Sequence, residues 1–205
     1  MGAPANSMSA IPQSASDAEL SARKNAPYEI EKHKHIVAAW SAATGARASK
    51  LCRFKVEIGV AILHAAGFDI AFATPNHLPE RVQLDATHLA WREAVIRAAE
   101  KQGLTFTHGV AAKLINCYLK VRFVCGGHHE HERVRCLHPP IDAVLLNELA
   151  KRDVGGFKKE WRRFHGLAWS KFDSATYQSV IDSIRQVLPP GEPLWKIEEH
   201  WPGHQ

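Results

Sequence analysis

The residues best suited to chemistry are a lysine and an aspartate, Lys113 and Asp142. Lys113 lies in THGVAAKLINCYLK, residues 107–120, early in a helix-compatible stretch. Asp142 lies in HPPIDAVLL, residues 138–146, at the start of the next one. An amine attacks an electrophilic sugar carbon only when unprotonated, and burial and the positive end of a helix both lower a lysine pKa. A carboxylate at a helix N-terminus is favoured in its charged form and can stabilise a developing cation. A turn entering a helix also offers backbone N–H groups that hold a phosphate. These parts suit covalent amine chemistry on a nucleotide. Asn116 and Lys120 follow Lys113 at i+3 and i+7, one polar stripe that reads equally as a cleft wall or a solvated face.

The stretch Gly109-Val110-Ala111-Ala112-Lys113, followed later by Pro140-Ile141-Asp142, resembles the helix-hairpin-helix DNA glycosylases, the superfamily of endonuclease III and 8-oxoguanine DNA glycosylase. Those proteins carry a Gly-Val-Gly-x-Lys hairpin and then a Val-Asp pair. The resemblance covers roughly forty residues. It implies a helical fold with a hairpin element, Lys113 as Schiff-base nucleophile, and Asp142 as the carboxylate assisting base departure. It further implies Gly109, Val110, Ala111 and Ala112 as the phosphate-contacting turn and DNA as partner. Ala111 stands where the family has its second hairpin glycine, and no cysteine follows Cys136 to build the family's iron–sulfur cluster. The implied activity is base excision, with or without strand nicking, and needs no cofactor.

Other constellations compete. Cys125, His128, His131, Cys136 and His138 offer sulfur and imidazole ligands for a zinc ion, although their spacing fits no named motif and a plain His-rich loop is the simpler reading. The run Lys158, Lys159, Arg162, Arg163 is interleaved with Phe157, Trp161 and Phe164. The aromatics read as core, and the cations as candidate phosphate contacts. Trp40 and Trp195 are candidates to stack a base. Two alternatives therefore stand beside the enzyme: a non-catalytic helical DNA-binding protein, and a metal-binding or interaction protein built on the loop 125–138.

The elements that must position these residues are helical. Periodicity predicts about eight helices and no sheet, an all-α domain over residues 28–205, single or with two lobes around a cleft. Expected helices cover 29–44, 55–66, 86–102, 109–124, 141–152, 157–165, 175–188 and 193–201. Ile36, Ala39, Trp40 and Ala43 are expected to face the core together. Asp85 and Ser174 are expected N-caps. Residues 1 to about 27, rich in small and polar side chains, read as a disordered tail without a secretory pattern, and four cysteines without that pattern point to a cytoplasmic protein. No stretch reaches the ~20 apolar residues of a membrane span. The formal net charge is +5, and residues 109–171 concentrate it, with twelve Lys/Arg against six Asp/Glu. That imbalance favours a polyanionic partner.

Overall fold

A computed structural model describes residues 28–47, 52–69 and 72–203. The expected tail, residues 1–27, lies outside them. Among the described residues every regular element is helical. They are α1 (Ile30–Ala46), α2 (Val56–Ala65), α3 (Leu84–Glu100), α4 (His108–Leu119), α5 (Glu132–Arg135), α6 (Ala143–Lys151), α7 (Lys158–Leu167) and α8 (Ser174–Val187). A π-helical segment, Lys120–His128, continues α4, and a 3₁₀ helix, Leu194–His200, closes the chain. None of these helices is long and apolar enough to cross a membrane.

Residues 31–205 form one compact unit with two buried apolar clusters. The first gathers the alanines of α1, Ile62, Leu63, Phe68, Val95, Tyr118 and Phe123. The second gathers Leu145, Leu146, Leu149, Trp161, Phe164, Tyr177, Ile181 and Ile197. Helix α4 serves both: Val110, Ala111, Leu114 and Ile115 enter the first, Ala112 the second. Its residues from Gly109 to Asn116 are all buried, the mark of a central helix rather than a surface one.

Several local expectations are corrected. Ile36 and Trp40 do not face the core; they are 54% and 58% exposed, while Ala38, Ala39, Ala42, Ala43 and Ala46 are buried. The reason is close helix approach: a β-carbon at Gly59 on α2 would collide with the Ala43 side chain, so only small residues fit this seam. Asp85 is not a cap but a first-turn residue of α3, and His88 and Arg92 form its buried face with Val95 and Ala99. Asp173, not Ser174, caps α8 by accepting from Thr176 N–H at 2.7 Å. The C-terminal helix is 3₁₀ rather than α. Glu192, Trp195, Glu198 and Trp201 recur every three residues, which is the period of a 3₁₀ helix, so the sequence carried that signal.

Candidate functional site

Thr107 starts α4 by accepting from Val110 N–H at 3.2 Å and donating to the Ser170 carbonyl at 2.9 Å. Gly109 N–H donates to the Phe172 carbonyl at 3.0 Å, and Ala111 N–H to Thr107 O at 3.0 Å. A side chain at position 109 would overlap the Trp169 carbonyl oxygen, which explains the glycine. The expected phosphate-contacting turn is therefore corrected. Gly109, Val110, Ala111 and Ala112 are the buried first turn of α4, and these amides are spent inside the protein.

Downstream, the segment 139–142 runs back along the polar stripe of α4. Asn116 donates to the Pro139 carbonyl at 2.9 Å, and one helical turn earlier Lys113 Nζ donates to Asp142 Oδ2 at 3.0 Å. The two reactive candidates, 29 positions apart in the chain, thus form a shielded ion pair, with side chains 8% and 19% exposed. Asp142 is fixed twice more. Its Oδ1 accepts from Leu145 N–H at 2.8 Å, capping α6, and its Oδ2 accepts from the Trp201 indole at 3.1 Å. Lys120 donates to Glu198, an ion pair of 2.6 Å, and its ammonium lies 5.6 Å from the Trp201 ring centroid. The C-terminal segment therefore roofs the pair, and Glu198, Trp201 and the neighbouring Cys117 join the cluster without having been singled out as reactive in the sequence.

Burial opposes a charged Lys113, but the Asp142 carboxylate, by its charge and its hydrogen bond, holds the ammonium above the usual lysine range. Burial pushes the Cys117 thiol up as well, so at neutral pH it is uncharged and Asp142 supplies the holding charge. Burial also raises Glu198, against the opposing pull of Lys120 and Lys113. The resting site is a protonated lysine, which corrects the expectation that helix position and burial leave it as a free amine.

Asn116 is fully buried and so is not a surface contact for DNA. It belongs to a chain of polar groups that reads consistently with neutral histidines. His88 Nε2–H donates to Asn116 Oδ1 (2.8 Å), and Asn116 Nδ2 donates to the Tyr177 hydroxyl (3.0 Å). The Tyr177 O–H faces His138 Nδ1 (3.1 Å), and His138 Nε2–H donates to Asp85 (3.0 Å). Arg185 clamps Asp85 at 2.6 and 2.8 Å, and Arg92 stacks over the Tyr177 ring at 4.5 Å. Burial lowers both histidines, most strongly His88.

The candidate zinc ligands of the zinc alternative are engaged separately. Among the described residues no three His, Cys, Asp or Glu side chains are arranged to hold a metal. His138 is committed to Tyr177 and Asp85, His131 Nδ1 accepts from Arg133 N–H at 3.3 Å, and Cys136 Sγ donates to Glu132 O at 3.3 Å. Cys125 is an exposed thiol, and His128 rests its ring 6.4 Å from that of Phe123. On α7 the division expected from sequence is present: Trp161 and Phe164 are buried, and Lys159, Arg162 and Arg163 are exposed. Trp40 lines an apolar groove of about 320 Å³ between α1 and α2, and Trp195 packs edge-on to His129; the aromatic ring that meets the Lys113–Asp142 pair is Trp201. Comparison with family models, with curated proteins and with solved structures gave no match.

Proposed function

We propose that this protein is a DNA base-excision glycosylase able to nick at abasic sites through Lys113. The observation that carries the reading is the 3.0 Å approach of the Lys113 amine to the Asp142 carboxylate, with Asp142 locked as the α6 cap. In that chemistry the lysine nitrogen bonds to the sugar C1′ while the bond from C1′ to the base breaks, its electron pair leaving with the base. Asp142 stabilises the cationic character that develops at C1′. Ring opening and loss of a proton from nitrogen then leave a Schiff base. Lys113 must first give up a proton to solvent base, so that Asp142 stays an ionised carboxylate when cationic character develops at C1′. The roof formed by Leu194–Trp201 must shift for a nucleotide to reach the pair, since the pair is shielded beneath it. DNA phosphates would meet the cations of α7, Lys158, Lys159, Arg162 and Arg163, and binding there would weaken steeply with salt.

Borohydride reduction in the presence of abasic-site DNA tests this. A covalent adduct is expected with the native chain and none with Lys113→Ala. Its yield should climb from neutral to mildly alkaline pH, because the amine rests protonated. An adduct that persists in Lys113→Ala sinks the assignment of the nucleophile.

A second reading, a helical DNA-binding protein without catalysis, is favoured by the internally satisfied amides of residues 109–111 and by the burial of Lys113. It predicts salt-sensitive DNA binding lost on neutralising the α7 cations, with no adduct under any condition.

A further inference from the structure

A cavity of about 570 Å³, whose lining includes Arg81, Arg133, Arg135, Arg185, Cys136 and Leu194, lies away from Lys113 and Asp142. Its arginines come from three separate places: the 3₁₀ turn Arg81–Gln83, helix α5 and helix α8. Three are held by fixed acceptors. Arg133 donates to the carbonyls of Asn76 and Leu78 at 2.7 and 2.8 Å, Arg135 to the Gly191 carbonyl at 2.7 Å and to Glu130 at 3.1 Å, and Arg185 to Asp85 at 2.6 Å and to Asp182 at 3.0 Å. Three glutamates line the cavity as well. Glu80 is 63% exposed and sits 3.6 Å from Arg133, Glu192 pairs with Lys196 at 3.0 Å, and Glu132 is exposed. Arg81 stands exposed, and among the described residues it has no ion-pair partner.

Guanidiniums fixed before a ligand arrives bind phosphate without paying for their own ordering, and their fork suits phosphate oxygens. The cavity is larger than a bare phosphate needs and falls in the size range of small-molecule sites. Leu84 and Leu194 give it apolar wall as well. We propose that this cavity binds a phosphorylated nucleoside, either free or as the phosphate-bearing end of a DNA strand. The inference does not depend on chemistry at Lys113.

The test titrates the full chain at low salt with deoxyadenosine 5′-monophosphate, and separately with one oligonucleotide carrying or lacking a 5′-phosphate. Calorimetry reads affinity, and alkylation of Cys136 in a Cys125→Ser background reads location. Saturable nucleotide binding, weakened about tenfold or more by Arg81→Ala and accompanied by protection of Cys136, supports a free nucleotide. The same two effects seen only with the 5′-phosphorylated strand support a strand end. Arg81 is exposed, so its variant reports on the ligand once an unchanged thermal midpoint shows that the fold is kept, and Lys113→Ala should leave both readouts unchanged. The proposal fails if neither nucleotide nor phosphorylated strand binds saturably. It also fails if strands with and without the phosphate bind alike and free nucleotide does not bind, or if binding survives Arg81→Ala and Arg135→Ala undiminished.

Discussion

Asn116 and Lys113 are neighbours on one stripe of α4, yet the structure treats them in opposite ways. Around Asn116 the groups His88, Tyr177 and His138 are buried, neutral and joined end to end, and the chain finishes on the partly exposed Asp85–Arg185 ion pair. Around Lys113 the polar groups are charged, paired across a short segment and roofed by the last helical turns, with Asp142 and Lys120 still reaching solvent. A buried neutral network specifies one packing arrangement. A charged pair beneath a peripheral roof costs desolvation and contributes little net stability.

The sharpest way to break that contrast is Asp142→Ala. It strips the counter-charge from a buried ammonium and removes the α6 cap at once. Removing one partner of a buried pair costs about 3–5 kcal/mol, and loss of a cap about 1 kcal/mol. Chemical denaturation should show a loss in that range. Lys113→Met should cost clearly less, because Asp142 keeps its Leu145 and Trp201 donors. Equal losses would mean that the pair acts as a simple structural tie.

Acidification probes the other end of the stripe. His88 and His138 have values lowered by burial, and they face Asp85, Arg92, Arg185 and Tyr177. A histidine with a lowered folded value contributes stability that is present above its unfolded value near 6.5 and lost as pH falls through the folded one. Each therefore takes away up to about 1.4 kcal/mol per pH unit below roughly 6.5. Lys113 has the reverse sign: its raised value gives stability that is lost only as pH rises through the alkaline range. Thermal unfolding followed from pH 7 to 5 should show a falling midpoint, and His88→Asn should flatten the fall. A midpoint insensitive to acid would show that the histidines are not held neutral.

The helical class and most element positions were legible because apolar spacing and Gly or Pro punctuation act locally. Helix faces were not. On α1 the larger Ile36 and Trp40 outweighed the alanines in any hydrophobicity argument, yet the alanines pack inward because α2 approaches too closely for anything else. His88 and Arg92 are buried because their partners, Asn116 and Tyr177, lie far along the chain, and no local pattern encodes such pairings. The meeting of Lys113 with Asp142 was expected, whereas Glu198 and Trp201 were read only as part of a C-terminal stripe. The arginine cavity was missed because its members are scattered from position 81 to 185.

The smallest expected effect comes from the roof itself. Trp201→Phe keeps an aromatic ring near Lys120 and deletes only the indole donor to Asp142. One hydrogen bond to a partly exposed carboxylate is worth about 1–1.5 kcal/mol, so every opening that breaks it, local or global, becomes easier by about that amount. Local opening of the 194–201 segment should rise by about tenfold under the change, because the bond is broken in that opening. Amide hydrogen exchange reads both quantities in one experiment. Exchange in 194–201 that runs well ahead of α4, before and after the change, marks the segment as a cover that opens by itself. Equal protection in the two would show that roof and central helix unfold together, and a nucleotide could then reach Lys113 only by unfolding the core.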